Sequence, residues 1–245
     1  KMIGMSDFMC FALSIGSVAI DASTDTDMDG VSNANDIDDD NDTIPDTDEY
    51  NGFDPLEDHD VDFIPNYRDP DFGVDANSDG IIDFFDFDND GVPNHFDLDS
   101  DNDGILDIVE AGNASRDTNR NGRTNSAVGA NGLDNGRENN DSLSAIISYS
   151  IPNSDGTGNS NFIDIDADGD GIVDNIEAQT TDTYTAPNKI VNEMGIDTAF
   201  PNGIAPVDTE NDAIFDYIDT NSDNDIRNDQ IEGWDFNNDG IAETI

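Results

Sequence analysis

One cysteine, one tryptophan and eight basic residues are all that a chain of 245 residues carries of each. Cys10 has no partner in the chain, so no internal disulfide holds the fold, and some other staple is needed. Eight Lys and Arg against 58 Asp and Glu exclude nucleic acid and anionic lipid as partners, because both are gripped through basic side chains. The apolar stretch Phe8 to Ile20 is too short to cross a membrane as a helix. It reads as a buried strand rather than a leftover signal segment, with Met9, Phe11, Leu13 and Ile15 on one face and Cys10, Ala12, Ser14 and Gly16 on the other. Such a strand suits contact with a neighbouring subunit. No Ser-His-Asp, Cys-His or phosphate-loop arrangement is present, and an enzyme is not expected.

What the chain has instead is acid. A formal charge of -50 with low hydrophobicity leaves a polypeptide disordered unless something neutralises it. The acids are not scattered. Asp99, Asp101, Asp103, Gly104, Ile105, Asp107 and Glu110 place oxygen ligands at positions 1, 3, 5, 9 and 12, a backbone carbonyl at 7 and a turn-forming glycine at 6. A calcium ion, with six to eight oxygen contacts, needs that spacing.

The register recurs along the chain. It starts at Asp25 (Asp27, Asp29, Asn33, Asp36), Asp38 (Asp40, Asp42, Asp46, Glu49), Asp58 (Asp60, Asp62, Asn66, Asp69), Asp75 (Asn77, Asp79, Asp83, Asp86) and Asp86 (Asp88, Asp90, Asn94, Asp97). Further copies start at Asp166 (Asp168, Asp170, Ile172, Asp174, Glu177), Asp208 (Glu210, Asp212, Asp216, Asp219) and Asn221 (Asp223, Asp225, Asp229, Glu232). Weaker ones start at Asp117 and Asn153, and a last one, from Asp235 (Asn237, Asp239, Glu243), would place its twelfth position past Ile245, as in a fragment or a site completed elsewhere. One calcium in each of these windows would cancel roughly half of the charge, so folding and ion binding are expected to be one equilibrium.

Starts at 25 and 38, 86 and 99, 153 and 166, and 208 and 221 are each 13 residues apart, so the loops come in pairs. Thirteen residues leave no room for the flanking helices of an EF-hand, and the Gly-Gly-x-Gly-x-Asp frame of the calcium-binding β-helix is absent. Apolar residues recur at position 7 (Val31, Ile81, Val92, Ile105, Ile172) and position 11 (Phe85, Phe96, Val109, Ile176, Ile218, Ile231), which predicts thin apolar seams between ion sites. His59 and His95, at positions 2 and 10, are expected in solvent. Loops with Thr43, Phe63, Ala213 or Ile226 at position 6 lack the turn-forming glycine, and weaker ion affinity is expected of those four. Asn113 and Asn140 open acceptor triplets for glycosylation.

The organisation expected is an apolar strand in 1–24, calcium loops in 25–110, a spacer with a strand at Leu143 to Ile151 in 111–152, a loop pair in 153–177, a spacer in 178–207, and further loops in 208–245. The segments Asp97 to Gly112 and Asp164 to Ala178 resemble thrombospondin type 3 repeats, closest to the form in large secreted bacterial surface proteins and adhesins. That resemblance implies a mostly irregular, calcium-stabilised tandem-repeat rod with few short β-strands and little helix, in which ions replace a hydrophobic core. It implies a structural extracellular role, as a rod or filament subunit of a cell-surface adhesin that self-associates and spans no membrane. The alternative is a passive calcium-stiffened linker carrying an enzyme or binding domain outside this segment.

Overall fold

A computed structural model describes residues 23–234 and is mostly irregular: short helical turns joined by loops. The apolar N-terminal segment with Cys10, and the loop from Asp235, lie outside the described residues, and of Glu232 only the backbone is described. Pairing between extended segments is limited, among the described residues, to three isolated antiparallel bridges: Val128 with Asp134, Glu138 with Ile147, and Val191 with Asp197. The strand expected over Leu143 to Ile151 is reduced to the single bridge at Ile147.

One hydrogen-bonded unit builds the rest. In all eleven described loops the N–H at position 9 donates to the carbonyl just before position 1, from Asn33 to Thr24 through to Asp229 to Thr220, at 2.8–3.1 Å. Position 4 is left-handed in every one, and the residue there is asparagine in five (Asn41, Asn89, Asn102, Asn211, Asn224), a residue that tolerates positive φ. Position 6 is left-handed in ten. Thr43, Phe63 and Ala213 adopt φ of 84°, 77° and 78° without being glycine, so the turn forms in three of the four loops that lack it. Only Ile226 departs. The tolerance has a physical basis, since the position 6 N–H is held by the position 1 carboxylate, from Thr43 to Asp38 at 3.1 Å and from Phe63 to Asp58 at 2.8 Å.

Positions 9–12 then coil, and the twelfth residue decides how. Glutamate there ends an α-helical turn: α1 (Asp46–Glu49), α2 (Asp107–Glu110) and α3 (Asp174–Glu177). In the last pair, α4 (Asp229–Trp234) likewise starts at position 9. Aspartate ends a tighter 3₁₀ turn, in Asn66–Arg68, Asn94–Phe96, Asn161–Ile163 and Asp216–Ile218, with Asp69, Asp97, Asp164 and Asp219 already extended. The shorter aspartate accepts the N–H two residues on, at 2.9 Å for Asp97 and Asp99, an Asx turn that competes with the helix. In each of the four pairs the first loop ends in Asp and the second in Glu. The chain therefore passes extended from the first loop into the second, and a full α-helical turn forms only at the end of the second.

Successive pairs stack through these turns: α1 packs on Asn94–Phe96, α2 on Asn161–Ile163, and α3 on Asp216–Ile218. The contacts bury more apolar surface than the expected seams. Tyr50, Tyr67, Ile81, Ile82, Phe85 and Phe96 form one cluster, and Ile105, Ala167, Ala178, Phe200, Ile204 and Tyr217 another. Two smaller clusters centre on Leu98, Leu106, Ile108 and Ile196, and on Ile44, Ala111 and Phe162. Position 10, which faces away from the carboxylates, meets the neighbouring pair rather than solvent, and Tyr67, Ile108, Phe162 and Tyr217 are buried there.

His95 corrects the expectation of a solvated ring. It is buried, with ring contacts to Tyr50, Tyr67 and Phe96. The Tyr50 hydroxyl accepts the His95 backbone N–H at 2.8 Å and lies 2.8 Å from its Nδ1. Burial, and then the Arg68 charge, hold its pKa well below the ordinary value, so the ring is neutral at pH 7. Asn113 is likewise buried, with Nδ2 donating to Thr43 Oγ1 at 2.7 Å, which removes it as a sugar acceptor.

Candidate metal centre

Backbone N–H groups anchor the carboxylates of each loop, through one oxygen apiece in the loops from Asp38 and Asp99. Position 1 accepts the position 6 N–H, as from Gly104 to Asp99 at 3.2 Å. Position 3 accepts the position 5 N–H, as from Asp103 to Asp101 at 3.2 Å. Position 5 accepts the position 7 N–H, as from Ile105 to Asp103 at 2.6 Å. The same three bonds recur from Asp38, Asp40 and Asp42, from Asp86, Asp88 and Asp90, and from Asp166, Asp168 and Asp170. The three carboxylates also converge. One oxygen from each member of the trios 25/27/29, 38/40/42, 58/60/62, 86/88/90 and 99/101/103 lies within 4.8 Å of the others.

Two of these trios, 38/40/42 and 99/101/103, are fully buried. In both, the converging oxygens have no protein donor: Oδ1 of Asp38 and Oδ2 of Asp40, Asp42, Asp99, Asp101 and Asp103. Both oxygens of Glu49 and both of Glu110 are buried and unpartnered as well, and so are Asp168 Oδ2, Asp170 Oδ2 and Glu177 Oε2. A buried carboxylate without a donor is costly, and three in contact more so. All the donor atoms are oxygen and the sets are strongly anionic, which fits a hard divalent cation with the glutamate as a two-oxygen ligand. The trio 58/60/62 and the loop of Asp75, Asn77 and Asp79 are largely exposed, as are Asp212, Asp223 and Asp225, whereas Asp208, Glu210, Asp219 and Asn221 are half-buried.

The protonation behaviour follows from the same crowding. Burial, and then neighbouring acids, push Asp38, Asp42, Asp99, Asp101 and Glu110 well above the usual carboxylate range. Burial raises Asp27, Asp103, Asp107 and Asp168 to about 7, Asp36, Asp46 and Asp88 to about 8, Asp174 to about 9, and Glu177 to about 10.

Position 9, expected as a ligand, closes the loop through its side chain. In every described loop its side chain accepts the position 2 N–H, as from Ser100 to Asp107 at 2.9 Å or from Phe87 to Asn94 at 3.0 Å. In Asp107 and Asp216 a hydroxyl, Ser100 or Thr209, takes the second oxygen at 2.6 Å. Asn33, Asn66, Asn94, Asp46, Asp83, Asp174 and Asp229 close their loops in the same way. Loop closure asks only for an acceptor, which is why Asn and Asp alternate there.

Two features escaped the sequence reading. Asp39, at position 2, is buried with both oxygens unpartnered, and burial together with Asp46 and Asp36 pushes it up to about 12. The signal was available, since no other described loop has an acid at position 2. Position 4 is the other. Asn41 and Asn102 of second loops reach Asp27 and Asp88 of the first loops, and Asn224 reaches Glu210 at 3.0 Å, so paired loops are tied at their carboxylates.

The weak loop from Asp117 has the unit's shape without its acids. Gly122 N–H donates to Asp117 at 2.8 Å, while Arg123 and Arg120 donate to the carbonyls of Asp40 and Gly203, both at 2.9 Å. There the side chains bridge neighbouring loops. Comparison with protein-family models, with curated proteins and with solved structures returned no match to this chain.

Proposed function

We propose that the chain is a calcium-dependent structural protein acting outside the cell, a stiff rod-like segment of a surface adhesin or filament, with ion coordination as its chemistry and no turnover. The observation that carries the reading is the set of buried, unpartnered oxygens on Asp38, Asp40, Asp42 and Glu49, and on Asp99, Asp101, Asp103 and Glu110. Calcium suits these sets better than magnesium, which holds a strict octahedron and retains several waters. The exposed loops are suited to roughly millimolar calcium, which is found outside cells. Stacking of each pair on the next favours an elongated body, and the resemblance to thrombospondin type 3 repeats points the same way.

Equilibrium dialysis and small-angle scattering test this together. The expected result is several bound calcium ions per chain and a rigid, elongated particle that expands to a coil in chelator. A particle of the same shape in both conditions would overturn it.

A further inference from the structure

The two spacers carry the same hairpin. Val128 to Gly136 and Val191 to Ala199 share the pattern Val-x-x-x-Gly-Leu/Ile-Asp-x-Gly/Ala, and each closes through a bridge from its Val to its Asp. In each, the Asp side chain caps the turn, with the N–H of Gly136 donating to Asp134 at 2.7 Å and that of Ala199 to Asp197 at 2.6 Å. Leu133 and Ile196 are buried in both, and Gly132 and Gly195 take φ of 84° and 74°.

The hairpins also dock alike. The residue before the glycine offers its carbonyl to the one-residue connector inside a loop pair: Asn131 to the Ile37 N–H at 2.9 Å, Met194 to the Leu98 N–H at 3.0 Å. The glycine itself lies flat on the carboxylate that ends the first loop, so a Cβ on Gly132 would fall on Asp36 and one on Gly195 on Asp97. Each hairpin packs on the pair one unit back in the chain, 111–152 on the first pair and 178–207 on the second.

The third pair has the same connector, Asp164–Ile165, and no hairpin on it among the described residues. Ile165 is 50 % exposed where Leu98 is 0 %, and its N–H meets no acceptor there. It lines an open groove of about 410 Å³ with Val173, Pro187 and Lys189, and with Asp88, Asp90, Asp101 and Asp103 of the second pair. The fourth connector has Thr220, polar and exposed, and lacks the apolar anchor.

We propose that the Asp164–Ile165 connector is the docking point for a third hairpin of the Val-x-x-x-Gly-Leu/Ile-Asp type, presented by another unit of the same repeat. The glycine would sit on Asp164, the carbonyl before it would accept the Ile165 N–H, and Ile165 would be covered as Leu98 is. Because the hairpin rests on the last carboxylate of a closed loop, docking requires the loop to be formed and hence requires the cation.

Amide hydrogen exchange on the full chain in calcium tests this, with a copy of 178–207 tethered after Ile245 by a Gly/Ser linker of about 30 residues, long enough to reach about 30 Å. The Ile165 amide should exchange at least tenfold more slowly with the tethered copy. A copy in which the glycine matching Gly195 is replaced by valine should give no protection. Unchanged exchange at Ile165, or equal protection by the two copies, overturns the proposal. A second variant tests its premise: Gly195→Val in the chain itself should speed exchange at Leu98 and leave Ile37 protected, and a Leu98 amide that stays slow would show that the hairpin is not what covers a connector.

Discussion

Asp101→Asn should shift the chain in opposite directions with and without calcium. The Asp99, Asp101 and Asp103 oxygens lie within 4.8 Å of one another. At an effective dielectric of about 20, two charges at that separation repel by about 3.5 kcal/mol, so the three pairs cost about 10 kcal/mol when no cation sits among them. That equals the whole stability of an ordinary domain, about 5–15 kcal/mol. Asparagine keeps the oxygen that accepts the Asp103 N–H at 3.2 Å and removes only the charge, relieving two of the three repulsions, about 7 kcal/mol when all three carboxylates are ionised. In chelator the variant should therefore retain more structure than the parent. In calcium it loses an anionic ligand, and half-saturation of folding should move to at least tenfold higher calcium, about 1.4 kcal/mol. Calcium titrations followed by circular dichroism, with melts in chelator, read both effects. Equal destabilisation in the two conditions, or an unmoved titration, would refute the reasoning.

Other outcomes follow from the same geometry. The raised carboxylates have folded-state pKa values above their unfolded ones, so they stabilise the metal-free fold below about pH 4, and this is lost as pH rises through about 7 to 10. Far-ultraviolet circular dichroism in chelator should show structure gained on acidification from pH 8 to 4, and calorimetry in buffers of different ionisation heat should show protons released on calcium binding at pH 7. Tyr50→Phe removes the hydroxyl shared by the His95 N–H, His95 Nδ1 and Phe85 carbonyl, and should cost about 1–3 kcal/mol in melts of the calcium-loaded chain without changing ion stoichiometry. Phe63→Gly removes a fully displayed side chain from a residue at φ 77° and should stabilise the loaded chain by about 1 kcal/mol; a loss of stability would mean that Phe63 packs on something.

The spacing of the trios was legible because the register sits at fixed sequence offsets, and the structure brings oxygens of Asp99, Asp101 and Asp103 within 4.8 Å of one another. The Asp or Glu at position 12 was visible too, but its consequence, an Asx turn against a helical turn, depends on one methylene and needs the backbone to be seen. The loop-closing part of position 9 was hidden for a related reason. An oxygen four residues past the trio fits a ligand register, and its bond to the position 2 N–H is seen only in the folded loop. His95 and Tyr67 could not be placed from sequence, since they are buried against each other and against Tyr50 and Phe96, side chains that come from three different loops. The spacer hairpins escaped because two copies with three identical residues, Val128, Gly132 and Asp134 against Val191, Gly195 and Asp197, and one similar pair, Leu133 and Ile196, gain meaning only when both are seen on equivalent connectors.

The central claim is that a cation among these carboxylates is what permits the fold. Melting of the chain followed by circular dichroism in millimolar calcium and again in excess chelator at pH 7 tests it most directly. The account predicts a cooperative transition in calcium and none in chelator, where the chain is already unfolded. Superimposable spectra and the same Tm in both would contradict it.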